Sequence, residues 1–441
     1  MFYIVEEESK LKLLEKLIST GCYVDIISSN DNYHPKLTFT VAIYIKCLDN
    51  SNGYIIPIKH DEGINVDKNR VIDILKNSNK VYTLDKKKLL YHINIPGVID
   101  VSLLYSMVKY QRLEFERESS TLNYFYRLHR LNKNINQIIP ISKLYESCEN
   151  LFNKIQHVID YTIPDGFEFY NHTAISVFYL IEQNGLGIKH DSFIENFNPR
   201  EPQYNIQDNK ILTYYNLYNA TSRPTNAFNS VNFAAIPKSA QHRECFIPTQ
   251  DYFVEFDFDG YHLRLLCDQI KYTLTSESAH KQLAKHYFGT EDITDEQYLE
   301  AKQINFQAIY GKIPEEHKDL KIFKLIQEFI DNMWSVYKET GIVCNPQSGK
   351  PFTSNLKEMH PAKLMNYMMQ SLETSNNILI LKDILKYLVG KKTKLVLYTY
   401  DALLFDFSKE DGKDTLEGIK KILEKDNKYP VKFKYSKDLG L

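Results

Sequence analysis

Apolar and polar positions in the first 110 residues alternate between a strand-like and a helix-like spacing. Short, nearly continuous apolar runs are typical of buried strands, and apolar positions three or four residues apart predict helices. The predicted strands cover residues 22–28, 38–48, 53–60 and 80–84, and the predicted helices cover residues 8–20 and 71–79. Because strands and helices alternate, this part of the chain is expected to form an α/β domain over residues 1–110.

The pattern from residue 111 to residue 165 is helical and mixed in charge, which predicts a helical connector ending at a break with Pro164 and Gly166. Beyond the break, strands and helices are again mixed. The predicted helices cover residues 174–184, 211–220, 294–311, 362–388 and 415–425. The predicted strands cover residues 251–259 and 429–436, with two more meeting in a tight turn within 394–407.

Composition limits the class of protein. A chain of 441 residues is longer than one core usually organises, so two or three domains are expected. No apolar run approaches the ~20 residues that cross a bilayer, and the first residues lack the pattern of a signal peptide. Six scattered cysteines without a CxxC pair predict free thiols in a reducing compartment and argue against zinc. The net charge of -2 neither supports nor excludes a nucleic-acid partner.

Two predicted strands place a carboxylate where the strand ends or turns, namely Asp257 in "EFDFD" and Asp401 in "YTYDALLFD". A carboxylate embedded in apolar strands is costly unless a cation accompanies it. Two carboxylates that converge on Mg²⁺ are the minimum apparatus for two-metal phosphoryl transfer. The simpler alternative is that each Asp only begins a turn.

A second candidate is a stripe on the predicted helix at residues 294–311. Lys302, Phe306 and Tyr310 recur every four residues and therefore share one helical face. Such a face could hold a triphosphate, stack on a base and sense a sugar. An ordinary amphipathic helix is the alternative.

Two further pairs of residues could contact nucleic acid. Arg223 and Arg243 flank a polar loop, and arginines there either bind phosphate or are solvated. Asn366 and Gln370 lie one turn apart on the predicted helix at residues 362–388, and their amides either read minor-groove acceptors or cover a helix surface.

The order of these segments resembles that of the family A DNA polymerases, the DNA polymerase I type. The segments are "VEFDFDGYHLRLL", "AKQINFQAIYG" and "YTYDALLFDF", preceded by the loop with Arg223 and Arg243. The resemblance implies an α+β polymerase domain over residues 166–441. It would have a palm with an antiparallel sheet, and helical fingers at about residues 270–355. The implied activity is template-directed addition of dNTPs to a primer 3'-end, with two Mg²⁺ ions as cofactors and Mn²⁺ as an alternative.

The resemblance implies specific roles for the residues of this chain that match the family's functional positions. Asp257 and Asp401 resemble the metal-binding carboxylates, and Lys302 resembles the lysine that contacts the triphosphate and assists catalysis. The expected nucleotide-binding residues are His262, His280, Lys302, Phe306 and Tyr310. The expected primer-template-binding residues are Arg223, Arg243, Arg264, Asn366 and Gln370. Asp259 stands where the family has a small polar residue, so its role is left open.

The first 110 residues resemble, more faintly, the family's 3'-5' exonuclease domain, which has an RNase H-like α/β fold. Asp25 can match the first acidic position, but Ile27 occupies the place of the following Glu. Lys88 falls near the second-motif Asp, and Asp100 fits a structural position. One acid and a lysine cannot hold two metal ions. The domain is therefore expected to be a degenerate scaffold without proofreading activity.

The chain also departs from the family's polymerase pattern. His262 stands where the family has a Glu that blocks a ribose 2'-hydroxyl, so His262 would have to fill that space and bond Tyr310. Ala402 replaces a secondary carboxylate, and Tyr298 replaces an Arg one turn before Lys302. These changes predict weaker metal binding and a raised nucleotide KM, and they leave the choice between dNTPs and rNTPs open.

Only residues 192–220 separate the segments that flank the family's helical thumb, so the thumb is expected to be reduced or absent. The expected partners are primer-template DNA, dNTP and a processivity or replisome protein, with no membrane. The expected location is the cytoplasm, a phage- or plasmid-infected cell included, or another DNA-containing compartment. Two alternatives stay open: a non-catalytic polymerase-like DNA-binding or replisome scaffold protein, and a polymerase that accepts ribonucleotides for primer synthesis.

Overall fold

The computed structural model describes residues 2–49, 52–114, 117, 120–129, 132–197, 205–226, 231–237, 240–310 and 312–441. The chain divides into two compact units, one formed by residues 1–179 with 201–207 and the other by residues 180–200 with 208–441. Across the described ranges, no helix has both the length and the apolar character that a bilayer span requires.

The elements follow one another in mixed order along the chain. The strands are β1 Phe2–Ile4, β2 Cys22–Ser28, β3 Thr40–Cys47, β4 Gly53–Pro57, β5 Val81–Thr83, β6 Ile99–Asp100, β7 Leu186–Ile188, β8 Ile206–Gln207, β9 Lys210–Ile211, β10 Tyr215–Asn216, β11 Thr225–Asn226, β12 Phe246–Ile247, β13 Tyr252–Phe258, β14 Ile342–Cys344, β15 Pro351–Thr353, β16 Lys394–Thr399, β17 Ala402–Phe407 and β18 Val431–Ser436. The helices are α1 Glu8–Leu17, α2 Lys68–Lys76, α3 Lys86–Leu90, α4 Val101–Lys109, α5 Ser120–Leu128, α6 Ile135–Ile138, α7 Ile141–Ile159, α8 Ile175–Glu182, α9 His190–Phe197, α10 Ala240–Arg243, α11 Tyr261–Gln269, α12 Ala279–Phe288, α13 Asp295–Ile309, α14 Lys321–Thr340, α15 Pro361–Tyr387 and α16 Lys413–Glu424.

The first unit is built on a mixed sheet with the strand order β1-β4-β3-β2-β5-β6. The central strands β2 and β3 are buried along their whole length, which explains their continuous apolar runs in the sequence. Leu14 of α1 and Leu75 of α2 join the core on one side of the sheet. On the other side, Phe152 of α7 packs against Tyr23 with ring centroids 5.3 Å apart.

The second unit contains an antiparallel sheet with the order β16-β17-β13-β18. Strand β13 pairs with β17 on one side and with β18 on the other, so that Asp257 lies opposite both Ala402 and Lys432. Phe253 and Phe256 of β13 are fully buried and anchor the strand. The sheet therefore fixes the position of Asp257 from both sides.

Two long helices of this unit begin where the sequence predicts. Thr294 caps α13 through a reciprocal bond with Gln297, the arrangement known as a capping box. His360 caps α15, whose first residue is Pro361, and this helix runs for 27 residues. The predicted end of α13 at Gly311 lies outside the described residues.

The predicted helix at residues 211–220 is wrong, because β9 and β10 lie there instead. The backbone N–H of Tyr215 donates to the carboxylate of Glu182 at 2.6 Å, and its hydroxyl accepts from the backbone N–H of Tyr398 at 2.9 Å. Residues 211–215 are all buried, so this segment has no polar face. Tertiary contacts of this kind override local helix propensity.

The helical pattern predicted for residues 111–165 is confirmed at α5, α6 and α7. The described residues 111–114 are not helical. Tyr110 adopts a left-handed conformation, with φ of 56°, that ends α4 before this stretch. Residues 115, 116, 118 and 119 of the charged run lie outside the described residues.

Candidate active site

Asp257 and Asp401 lie next to each other at one end of the antiparallel sheet. Asp257 is the sixth residue of β13, and Asp401 sits in the two-residue turn between β16 and β17. The backbone N–H of Phe258 donates to the carbonyl of Asp401 at 3.1 Å, which ties this turn to the end of β13. Tyr400 takes the left-handed conformation that the tight turn requires, with φ of 63°. Two carboxylates distant in sequence are thus brought together.

The electrostatics of this pair favour a positive partner. Partial burial, followed by repulsion from Asp401 and Glu255, raises the pKa of Asp257 to about 6. Burial and then the charge of Glu373 raise the pKa of Asp401. Oxygen donors that repel one another fit a hard divalent cation such as Mg²⁺. Within the described part of the chain, no group of three or more His, Cys, Asp or Glu side chains is arranged to hold a metal ion.

The raised pKa of Asp257 leads to a stability prediction. A carboxyl whose pKa is higher in the folded chain opposes folding when it is ionised, so its penalty grows as the pH rises from 3.8 and is complete above about 6. Asp257→Asn is expected to raise the Tm at pH 7.5 in EDTA by about 2 °C, or roughly 1 kcal/mol after allowance for solvent screening. Thermal unfolding measures this difference, which should shrink at pH 5. A lower Tm for the variant at pH 7.5 would contradict the account.

A cavity of about 300 Å³ opens beside the two carboxylates. Its walls include eight of the residues singled out from the sequence: Arg223, Asp257, His262, His280, Lys302, Phe306, Tyr310 and Asp401. Lys302 and Phe306 reach it from one face of α13, and Tyr310 reaches it from the residue that follows the helix. The Nζ atom of Lys302 lies 5.9 Å from the centroid of the Phe306 ring. Cationic, aromatic and acidic groups therefore share one cavity wall.

His280 reaches the cavity from α12. Its ring stacks with Phe306 at 5.9 Å between centroids, and the side-chain amide nitrogen of Asn305 lies 3.0 Å from its Nδ1. Burial lowers the pKa of His280 to about 4, so the ring is neutral at pH 7. A neutral imidazole can contact a phosphate only as a hydrogen-bond donor.

His262 lies on α11 and faces two other side chains. Its Nδ1 is 3.2 Å from the hydroxyl of Tyr310, and its Nε2 is 3.3 Å from Oε1 of Glu373. Glu373 also forms an ion pair with Arg223, with 2.9 Å between Nε and Oε2. The guanidinium of Arg223 stacks on the ring of Tyr400 at 3.7 Å. A chain of contacts thus runs from the end of α13 to the turn that carries Asp401.

Glu373 and Lys432 also line the cavity, although sequence reasoning missed both. A signal for Glu373 was present, because Asn366, Gln370 and Glu373 are spaced by four and three residues and share a face of α15. Lys432 had no comparable signal, because its position depends on the pairing of β18 with β13.

Asp259 and Gly260 form the sharp junction between β13 and α11. Gly260 has φ of +61°, and a Cβ atom there would lie 3.0 Å from the Cβ of Ala279, so glycine suits the position. Asp259 accepts from the backbone N–H of Ala279 at 3.2 Å and pairs with Lys432 at 2.6 Å. Although burial alone would raise the pKa of Asp259, the Lys432 contact makes the net change a lowering. Asp259 therefore joins the start of α12 to the sheet.

The expected primer-template residues are not all brought to the cavity. Arg264 is buried and donates to the backbone carbonyls of Asp259, Thr275 and Glu277 at 3.0, 2.9 and 2.7 Å. Arg264 therefore stabilises the segment before α12, and its guanidinium nitrogens are engaged by backbone carbonyls within the protein. Arg243, Asn366 and Gln370 lie outside the cavity wall, and their contact with DNA stays a prediction.

The first unit also brings carboxylates together, but with cations between them. Arg117 lies 3.6 Å from Asp25 and 2.6 Å from Asp31, measured between side-chain nitrogen and oxygen atoms, and only 8% of its side chain is exposed. Lys88 pairs with Asp31 at 2.9 Å. Asp100 is fully buried and caps α4 by accepting from the backbone N–H of Leu103 at 2.7 Å. These acids already have partners within the protein.

Comparison with known proteins defines the class of fold. No protein-family model matches the chain, and no curated protein matches its sequence. Among solved structures, the fold matches that of a DNA polymerase domain, and this confirms the mixed α+β class. The matching structure is the POL domain of Pol1 from M. smegmatis in complex with DNA primer-template and dNTP. The TM-score is 0.70 at 12% identity, over 100% of this chain and 99% of that chain.

Proposed function

We propose that this chain is a template-directed DNA polymerase that adds dNTPs to a primer 3'-end. One observation carries the proposal: Asp257 and Asp401 share a cavity with Lys302, Phe306 and Tyr310. The fold of a Pol1 polymerase domain supports it, because that structure holds primer-template and dNTP. Acidic, cationic and aromatic groups on one cavity wall suit the metal-bound phosphates, the triphosphate tail and the base of a nucleotide, respectively.

Asp257 and Asp401 are the residues that would hold two divalent cations, with Mg²⁺ favoured by an all-oxygen donor set. When bound, the cations neutralise phosphate charge and make the primer hydroxyl a better nucleophile. In the reaction, the primer 3'-hydroxyl loses its proton to water, and its oxygen forms a bond to the α-phosphorus as the bond to pyrophosphate breaks. Lys302 is placed to bind the phosphates and to give a proton to the leaving pyrophosphate. Phe306 offers its face to the base.

We further propose that the chain lacks proofreading activity. Arg117 lies between Asp25 and Asp31, and Lys88 adds a second cation there. Carboxylates that are neutralised by side-chain cations are poor ligands for a catalytic metal. The first unit, including the region of residues 1–110, is then a degenerate exonuclease-like scaffold. The short strands β9 and β10 lie in the interval where the family has its thumb, which supports a reduced thumb. A polymerase with a reduced thumb would need a processivity partner to stay on DNA.

The role of Lys302 can be tested by its removal. Lys302→Ala is expected to lower kcat/KM for dNTP incorporation by about 100-fold, because a charge-assisted phosphate contact is lost from a partly desolvated site. Single-turnover primer extension over a range of dNTP concentrations measures this effect. Lys281→Ala on the exposed face of α12 is the matched control and should retain wild-type activity. Equal activity of the two variants would remove Lys302 from the proposed site.

A further inference from the structure

Glu373 occupies a position that the proposed chemistry does not yet use. It projects from α15 between Arg223 and His262, and 2% of its side chain is exposed. Its Oε1 lies 3.3 Å from His262 Nε2 and accepts from a terminal nitrogen of Arg223 at 3.3 Å. Isolated carboxylates are rarely buried, so the two cationic or polar neighbours are needed to offset its desolvation.

The contacts around Glu373 are close but incompletely aligned. Arg223 Nε, His262 Nε2 and Glu373 Oε2 are buried, and among the described residues none of the three has an aligned hydrogen-bond partner. The distance of 2.9 Å between Arg223 and Glu373 is nevertheless that of an ion pair, and the 3.3 Å between His262 Nε2 and Glu373 Oε1 is within hydrogen-bonding range. Small rotations of the side chains would align all three groups. The negative charge of Glu373 therefore attracts the guanidinium of Arg223 and the N–H of a neutral His262 ring.

The carboxylate also determines how His262 meets Tyr310. A negative oxygen beside Nε2 favours the ring proton on that nitrogen. Nδ1 is then the acceptor for the hydroxyl of Tyr310, which lies 3.2 Å away. Glu373 thus fixes both the tautomer and the orientation of the ring. Burial, and then the charge of Glu373, also raise the pKa of Tyr310.

The place of this contact along the nucleotide follows from α13. Lys302, Phe306 and Tyr310 lie one helical turn apart, about 6 Å per step. A nucleotide with its phosphates at Lys302 and at the two carboxylates would lay its sugar toward Tyr310. His262 and Tyr310 then form the wall that faces the sugar, and Glu373 supports this wall from behind.

We propose that Glu373 is a positioning residue that makes the site selective for 2'-deoxyribose over ribose by holding His262 against Tyr310. The inference rests on the proposed polymerase function. The 2'-hydroxyl of a ribonucleotide would clash with the fixed ring of His262. It would also find no hydrogen-bond partner there, because both ring nitrogens are already engaged. Without Glu373, the ring is free to turn away and leaves space for the hydroxyl.

The selectivity of nucleotide incorporation tests this role. The measurement is kcat/KM for a dNTP and for the matching rNTP, in the wild type and in Glu373→Ala and Glu373→Gln. Glu373→Ala should reduce the dNTP-to-rNTP ratio by about 10-fold or more, chiefly through faster rNTP incorporation. Glu373→Gln should reduce it less, because an amide oxygen can still accept from Nε2. Asp383→Ala, an exposed acid on the same helix, should leave the ratio unchanged.

Two results would overturn the proposal. One is a Glu373→Ala enzyme that extends primers with the wild-type ratio. The other is an equal loss for both sugars together with a higher Mg²⁺ requirement, because Glu373 would then act through the charge at Asp401. A wild type that incorporates neither nucleotide would refute the polymerase function separately. In that case, the affinities for dNTP and rNTP measured with Ca²⁺ still test the role of Glu373. A dNTP-to-rNTP affinity ratio that is the same in the wild type, Glu373→Gln and Glu373→Ala would also overturn the proposal.

Discussion

Asp401→Ala is expected to reduce primer extension by about 1,000-fold or more while the protein remains folded. Asp401 lies at the end of the sheet beside Asp257, and both carboxyls have raised pKa values because of burial and neighbouring negative charges. Removing one of the two leaves a single carboxylate, which is too few ligands to hold the cations of phosphoryl transfer. Single-turnover extension of a labelled primer measures the loss.

The position of Asp401 allows an effect of its substitution on catalysis to be distinguished from an effect on folding. Asp401 lies in a turn at the cavity and outside the core, so truncation of its side chain has little effect on core packing. Thermal unfolding and far-UV circular dichroism of Asp401→Ala should match the wild type within a few degrees. Asp414→Ala, an exposed acid in the first turn of α16, is the matched control and should extend primers normally. Extension by Asp401→Ala at the wild-type rate would refute its assignment as a metal ligand.

Arg117→Met is expected to destabilise the first unit by about 3 kcal/mol, because it leaves the carboxylates of Asp25 and Asp31 without their shared cation. The guanidinium lies between the two acids and is largely buried. Although burial alone would raise the pKa of Asp31, the charges of Arg117 and Lys88 make the net change a strong lowering. Chemical denaturation of the full chain, followed by hydrogen exchange in the first unit, measures the effect.

The pH dependence of this effect has a definite sign. A carboxyl with a lowered pKa stabilises the fold above the pKa of the unfolded chain, here about 3.8, and this contribution is lost as the pH falls below it. The difference between wild type and Arg117→Met should therefore be full at pH 7 and decrease below pH 4. Arg70→Met removes an exposed ion pair with Glu8 and should have a much smaller effect on stability than Arg117→Met. Equal effects of the two substitutions would show that the Arg117 cluster does not stabilise the first unit.

The sheet that carries the two carboxylates could be predicted because its sequence pattern is local. Alternation at β13 and the paired runs of β16 and β17 are visible without knowledge of the rest of the chain. The stripe on α13 follows from helical periodicity alone. By contrast, β1, β14 and β15 are only three residues long each, and such short strands are defined by their pairing and not by a pattern.

The contacts around Glu373 could not be predicted, for a different reason. Its closeness to His262 depends on how α15 packs against α11, and the rotation of a 27-residue helix about its axis is set by tertiary packing. The segment at residues 211–220 is similar, since its strands depend on Glu182 and Tyr398, which are distant in sequence. The sequence thus identifies side chains that are capable of catalysis or binding, and the tertiary structure determines which of them lie close together.

The central claim is best tested by single-nucleotide incorporation on primer-templates that differ only in the templating base. Wild-type protein would be supplied with each dNTP in turn, in Mg²⁺ and in Mn²⁺, with Asp257→Ala as the inactive control. The proposed polymerase function predicts extension by one nucleotide, selective for the dNTP complementary to each template base, and no extension by the control. Absence of extension in both metals, or extension that ignores the template base, would contradict it.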